Sequence, residues 1–314
     1  MMDCLVSVII PNYCHAKYLD QRIQTVLNQT YQNFEVIILD DCSPDNGASK
    51  EVIEKYRDNS HVSNIVYNER NSGSTFKQWQ KGFELAKGDY IWIAESDDFC
   101  TTDMLQKLVN CISKYPDCAI AQTTSCYVDS DGNPLAPDWR PKGGMIYLEG
   151  KSFIRKHLVC SNLNIPNASA VIFRKDYAKS IPLDYQDYKA SGDRLFWIYM
   201  CEKGGVCTLD EQLNYFRQHN NKVSPQKELD GTQCRENYQI NLYLREHGNV
   251  TGFVKMEEYT YYWNYIHSYK FHNEVVRRQL FNLWFGEHGN LRIYYFYTCV
   301  LNIRLLFKRL LKKF

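Results

Sequence analysis

An α/β fold built on a mostly parallel sheet is predicted by three features of this sequence. Short β-branched runs that are apolar on both faces alternate with segments of helical periodicity. Each strand–helix unit takes about 30 residues, which suits a right-handed crossover between parallel strands. The polar outliers of the apolar runs gather at their carboxyl ends, the rim on which open α/β sheets bind ligands.

The elements follow in order. LVSVIIPNY, residues 5–13, ends at a proline and reads as a strand buried on both faces. Residues 18–29 place Leu19, Ile23, Val26 and Leu27 at helical spacing. FEVIILDD, residues 34–41, is a second buried strand, and SPDNGASKEVIEKY starts a helix with Ser43 or Asp45 available as its N-cap. A strand at 64–70, a helix near 75–86 and the strand YIWIA complete the first half. Beyond Asp98 come a helix at 102–114, a strand at 119–128, a DSDGNP turn, a strand near 169–174, a helix near 193–201 and a strand ending in YFRQH. After about Gln226 the alternation stops and a helical region rich in tyrosine, tryptophan and charge begins. The expected organisation is a domain of residues 1–225, divided near residue 100 into two halves, followed by a helical region of residues 226–314.

Composition excludes several classes. Lys plus Arg is 37 against 36 for Asp plus Glu, so no overall field favours nucleic acid. The 12 cysteines include no CxxC pair, which argues against zinc and redox sites. With Asp3 and an early Pro11, MMDCLVSVIIPN lacks the pattern of a secretory leader, so free thiols in a reducing, cytoplasmic setting are expected. No run of about 18 apolar residues is long enough to span a bilayer.

The rim has no glycine pattern for a dinucleotide and no GxxxxGK[ST] loop for a nucleoside triphosphate. What it has is carboxylates: Asp40 and Asp41 after the second strand, then Glu95, Asp97 and Asp98 within YIWIAESDDFC. Like charges this close raise one another's pKa, so a cation is expected among them. Carboxylates at a strand end also suit the paired hydroxyls of a ribose, and the backbone N–H groups of NSGS (71–74) open a helix that could face phosphate or ribose. Plainer roles stand beside these. Asp41 and Ser43 could cap the next helix, Gly73 could serve only as a turn residue, Asp193 could be an N-cap, and the ESDD carboxylates could be a solvated turn. Asp89, in KGDY, is expected to end a turn away from chemistry.

SVIIPNY, LDDCS, NSGS, AKGDYIWIAESDD, SGDRLFWI and FRQH, in that order over about residues 6–224, resemble the successive motifs of the family 2 inverting glycosyltransferases. The resemblance implies a GT-A fold and the bacterial, non-processive type, because the QxxRW motif and spanning helices of processive members are missing. It implies that Pro11, Asn12, Tyr13, Asp40, Asn71, Gly73, Glu95, Ser96 and Arg217 meet the nucleotide. It makes Asp97 and His219 ligands of Mn²⁺ or Mg²⁺ and sets Asp98 beside the donor sugar or just behind the metal. Asp193 takes the position of the catalytic base, with Gly192 where a glutamate often stands. In ESDD, Glu95 replaces the aspartate that usually opens the metal motif. The implied activity is metal-dependent transfer of one sugar from a nucleotide donor, of the uridine diphosphate type, to a hydroxyl of a glycan or lipid-linked acceptor. A sugar nucleotidyltransferase would need a glycine-rich basic loop where PNYCHAKYL stands, and a non-catalytic binding module would not need both Asp97 and Asp193.

The tail LRIYYFYTCVLNIRLLFKRLLKKF carries six basic and no acidic residues. On a helix, Ile303, Leu306, Phe307, Leu310, Leu311 and Phe314 gather on one side, and Arg304, Lys308, Arg309 and Lys312 on the other, with Leu305 out of place. That pattern predicts a helix lying on an anionic membrane surface at the inner face, the alternative being a helix docked on the body or on a second copy of the chain.

Overall fold

The computed structural model describes residues 4–135, 143–160, 165, 167–218, 224–287 and 289–311. The strands are β1 (Val6–Asn12), β2 (Phe34–Asp40), β3 (Val62–Tyr67), β4 (Tyr90–Ile93), β5 (Phe99–Cys100), β6 (Cys118–Val128), β7 (Met145–Leu148), β8 (Val171–Arg174) and β9 (Gly205–Arg217). They join in one sheet of order β3-β2-β1-β4-β8-β6-β9-β5, with β7 also on β9. The helices are α1 (Ala16–Leu27), α2 (Ala48–Glu54), α3 (Thr75–Leu85), α4 (Met104–Lys114), α5 (Gly150–Phe153), α6 (Lys175–Lys179), α7 (Gly192–Lys203), α8 (Ser224–Leu229), α9 (Thr232–Glu246), α10 (Gly252–Ser268), α11 (Glu274–Phe285) and α12 (Leu291–Leu311).

The mixed α/β class is as predicted. β1 lies between β2 and β4, parallel to both, and every residue of β1, β2 and β4 is buried. The second half departs from the parallel rhythm: β8 runs antiparallel to β4 and β6, while β6 and β9 are parallel to each other. β5 and β7 are additions that periodicity does not reveal, because two and four residues are too few to show a period of two. α2 also starts later than its expected caps. Gly47, at φ 88°, precedes it, Asp45 accepts from the Ser49 amide at 3.0 Å, and Ser43 turns back to Asp40. Packing of α3 on the sheet depends on Gly82, where a Cβ would come within 2.6 Å of the Ile9 side chain.

The chain forms two compact units that interleave along the sequence. The first comprises Met1–Gly150, Ile165–Gln186 and Phe196–Asn221 and contains the whole sheet. Its core joins Val8, Ile10, Ile38 and Trp92 of the strands to Leu19, Ile23 and Val26 of α1 and Leu105 and Leu108 of α4. The second comprises Lys151–Asn164, Asp187–Leu195 and Lys222–Phe314, and its core is aromatic, with Tyr262 stacked on Trp284 at 3.6 Å between ring centroids. All 12 cysteines are free thiols.

Candidate active site

Strand register assembles the rim of the first unit. Asn12 is paired with Asp40 across β1 and β2, and Ile9 with Ile93 across β1 and β4, so the ESDD turn leaves β4 at the level of Pro11 and Asn12. The His15 ring nitrogen Nδ1 sits 2.9 Å from the Ser96 hydroxyl, which ties the two strand ends together.

Asp40 is buried and forms the floor of the rim. One carboxylate oxygen accepts from the Asn12 amide at 2.7 Å and the Ser43 hydroxyl at 2.7 Å, and the other from the Ser43 backbone N–H at 3.0 Å. Asn12 also donates to Ser49 at 2.9 Å, while its buried Oδ1 has no partner among the described residues. A buried acceptor without a donor is costly, so a ligand hydroxyl or N–H at this point would relieve it. Pro11 is buried in β1, and Tyr13 beyond it is 45% exposed.

Asp41 organises the NSGS loop. Its carboxylate accepts from the Asn68 amide (2.6 Å), the Ser72 backbone N–H (2.9 Å), the Ser72 hydroxyl (2.7 Å) and the Gln78 amide (2.9 Å). Asn71 donates to the Asp41 carbonyl at 3.2 Å and accepts from the Gly73 amide at 2.7 Å; Gly73 is held at φ 71°, a left-handed conformation that glycine takes without strain. Asp41 is thus a loop anchor rather than the cap of α2. Asp89 accepts from the Leu5 amide at 3.1 Å, the turn role its place predicts.

The ESDD carboxylates sit in a turn that is mostly buried. Glu95 accepts from the Trp79 indole at 3.1 Å, and burial, with the Asp97 charge next in size, pushes its carboxyl up to about 8. Asp98 accepts from the Arg217 amide at 3.0 Å and from Asn167; burial and the Asp97 charge hold it well above the usual carboxylate range. Arg217, expected at the diphosphate, has its guanidinium engaged beneath the turn. It donates to the carbonyls of Asp97 (2.8 Å) and Ser130 (2.9 Å) and to the Gln21 amide oxygen (2.7 Å), and lies 4.5 Å from the Tyr18 ring centroid.

The cation that the carboxylate cluster calls for has a counterpart inside the protein. Arg22 of α1 is 0% exposed, its guanidinium stands 5.1 Å from the Trp92 ring centroid, and none of its three nitrogens has a hydrogen-bond partner among the described residues. Its charge lowers the pKa of both Glu95 and Asp98, though less than burial raises them. Helical spacing with Leu19, Ile23 and Val26 puts residue 22 on the buried side of α1, but no motif of the sequence marks an arginine there as a partner of the carboxylates. Trp79, Asn167 and Ser169, whose hydroxyl accepts from the Glu95 amide at 3.1 Å, are likewise absent from the motif reading, because they reach the turn from other elements.

Replacing Arg22 by methionine is expected to destabilise the fold at pH 7 by about 2 kcal/mol, less than the 3–5 of a fully stranded buried pair, since Glu95 and Asp98 take up protons instead. Both carboxyls have folded pKa values above their unfolded ones, so the native state holds the extra protons and loses stability as pH rises through that range. Arg22 limits that loss, and its removal therefore costs more at pH 7 than at pH 5. Urea unfolding at the two pH values measures this; an equal deficit at both would leave Arg22 with a packing role alone.

Oxygen ligands suit a hard divalent cation, and Mg²⁺ or Mn²⁺ at such sites takes one or two carboxylates and completes its shell with phosphate oxygens and water. Among the described residues no group of three or more His, Cys, Asp or Glu is placed to hold a metal ion, and the Asp98 carboxylate is already engaged by the Arg217 amide and by Asn167. His219 and Lys222 lie outside the described residues.

Asp193 belongs to the second unit, in the first turn of α7. Its carboxylate accepts from the Arg194 amide at 2.8 Å, and burial pushes its pKa up to about 6, against the opposing effects of the Arg194 amide and guanidinium. A helix N-terminus favours the ionised form of a carboxyl; burial outweighs it here, yet at about 6 Asp193 is mostly ionised at neutral pH. The surroundings are rigid. Arg194 is buried and spends its guanidinium on the carbonyls of Leu158 (2.6 Å) and Val159 (2.8 Å) and on the side chains of Asn237 (2.8 Å) and Asn241. Glu236 accepts the amides of Lys189, Ala190 and Ser191 at 2.7–2.9 Å, clamping the loop that leads into α7.

Comparison with known proteins bears on the whole arrangement. The family model "Glycosyl transferase family 2" matches residues 7–181, more than half of the chain. The putative teichuronic acid biosynthesis glycosyltransferase TuaG of Bacillus subtilis is 27% identical over 224 residues, covering 71% of this chain and 82% of TuaG. The glycosyltransferase GlyG of Streptococcus pneumoniae is 33% identical over 132 residues, 42% of this chain and 43% of GlyG. The poly(ribitol-phosphate) β-N-acetylglucosaminyltransferase TarP of Staphylococcus aureus is 35% identical over 107 residues, 33% of this chain and 32% of TarP. Among solved structures, residues 1–349 of S. aureus TarS in complex with UDP-GlcNAc superpose with a TM-score of 0.64 at 18% identity, over 92% of this chain and 82% of that one. The likeness to TarS carries the GT-A fold.

Proposed function

Since the chain belongs to glycosyl transferase family 2, we propose that it moves one sugar, with inversion, from a uridine diphosphate donor to a hydroxyl of a glycan or lipid-linked acceptor in surface-polysaccharide synthesis. The observation that carries this reading is the rim of the first unit, where the Asn12–Asp40 floor with its unsatisfied amide oxygen lies in register with a turn of buried carboxylates. The floor suits a nucleoside, whose ribose and base offer paired donors. The UDP-GlcNAc in the TarS complex and the names of TuaG and TarP support the donor class and the pathway type.

Each residue then has a task. Asn12 and Asp40 hold the nucleoside, and Asp41 keeps the NSGS loop in place beside it. Asp97 would hold Mn²⁺ or Mg²⁺, which supplies positive charge to a leaving diphosphate, with Asp98 behind the metal or beside the donor sugar. Asp193 takes the proton of the acceptor hydroxyl as its oxygen bonds to the anomeric carbon and the carbon–phosphate oxygen bond breaks, and attack opposite the leaving group inverts that centre. A nucleotide-sugar donor sets the reaction in the cytoplasm, and a lipid-linked acceptor at the inner face of the membrane.

The purified chain, offered a panel of labelled UDP-sugars with Mn²⁺, is expected to release UDP slowly from one of them and to stop in EDTA. Release of pyrophosphate from uridine triphosphate and a sugar 1-phosphate would mark a nucleotidyltransferase instead, and binding without turnover of any donor would mark a binding module.

A further inference from the structure

Helix α12 has its apolar side outward. At about 100° per residue, Tyr294, Tyr297 and Arg304 share one side, and α10 engages that side. The Tyr294 ring stacks on Trp263 at 5.2 Å and its hydroxyl donates to Asn264 at 2.8 Å. Tyr297 meets Tyr259 edge-on, and Arg304 pairs with Glu257 at 2.9 Å over the Phe253 ring. The sequence pattern sets Arg304 on a solvent-facing basic side; in the fold it is committed to the protein. The opposite side carries Tyr295, Phe296, Ile303, Leu306 and Phe307, exposed by 59%, 60%, 53%, 59% and 62%. From Phe296 to Phe307 this stripe runs about 16 Å, at 1.5 Å per residue.

A helix that spends its cation on its own neighbour and leaves five large apolar side chains in water lacks a partner on that side. Charge selects the partner. On the same spacing Arg292 lies on the stripe while Lys308 falls beside Arg304 on the other side, and residues 291–314 carry six basic and no acidic residues. Pairing with the same helix of a second copy sets two basic segments side by side in either direction, with no carboxylate from either to offset them. An anionic lipid surface supplies the missing negative charge and takes up the aromatic and aliphatic stripe at its headgroup–acyl boundary. Among the described residues no helix is long and apolar enough to cross a membrane, so the contact is interfacial.

We infer that the Tyr295–Phe307 side of α12, which also carries Arg292, is a docking surface for anionic lipid bilayers. It stands independently of the catalytic reading, since it rests on a helix side that holds no site residue. Flotation of the full chain with vesicles of phosphatidylcholine containing roughly one-quarter phosphatidylglycerol tests it. The intact chain is expected to float at least about tenfold better than the Leu306→Glu/Phe307→Glu variant, whose substitutions fall on exposed positions and spare the α10 contacts. Replacing Arg292 by glutamine should weaken flotation about fivefold, and high salt should weaken it further. Equal flotation of intact chain and double variant would overturn the inference. So would a dimer, seen by analytical ultracentrifugation without flotation, that the double variant dissolves; that result would give the surface to a second copy.

Discussion

Asparagine in place of Asp193 is expected to lower the rate of sugar transfer by about 10² to 10⁴ while leaving donor affinity within a few-fold of the native value, the signature of a base that acts in the transition state and not in donor binding. The substitution is isosteric, and an asparagine Oδ1 still accepts from the Arg194 amide, so the first turn of α7 and the buried Arg194 network beneath it keep their hydrogen bonds. What disappears is the basic oxygen. The native enzyme should report the same group through pH: with the carboxyl near 6, transfer falls about tenfold per unit as pH drops below that value, because the protonated acid accepts no proton. Single-turnover transfer measured across pH 5 to 8, alongside calorimetric donor titration, gives both numbers. A variant that turns over within a few-fold of the native chain would remove Asp193 from the reaction.

Substitution of Asp97 by asparagine is expected to reduce cation-dependent UDP affinity by about two orders of magnitude, at or beyond the upper end of the 10- to 100-fold cost of losing an outer-shell partner of a metal ligand. An amide is a weaker ligand than a carboxylate and removes one negative charge from the turn. The same change should stabilise the cation-free protein, because the Asp97 charge is one of the causes that raise Glu95 and Asp98. Calorimetry of UDP with Mn²⁺ and in EDTA, joined to thermal melting in EDTA, separates the two effects. Equal UDP affinity with and without Mn²⁺ in the native protein would end the metal reading, whatever the variant does.

Much of this protein was legible along the chain. The apolar runs ending at Asn12, Asp40 and Ile93 announced strands buried on both faces, since only helices on both sides of a sheet make uninterrupted β-branched sequence favourable. The same runs marked the binding rim, because a polar residue next to such a strand must lie beyond its end. Local pattern was less informative where an element is short or its role belongs to a partner. β5 and β7 took shape only by pairing with β9, and the antiparallel entry of β8 between β4 and β6 has no signature in its own four residues.

The sequence by itself determined the sheet class, the location of the rim and the presence of an acidic turn on it, because each depends on the polarity of neighbouring residues. Tertiary structure alone decided which residues carry charge into the interior and which turn away from it. Arg22 became the inner cation of the turn, Arg217 its brace, Arg194 the core of a hydrogen-bond network, and Arg304 a tie that leaves the apolar side of α12 uncovered. An arginine's hydropathy is the same in all four places. The cost of burying its charge is set by the partners that distant segments bring to it, and those partners exist only once the chain has folded.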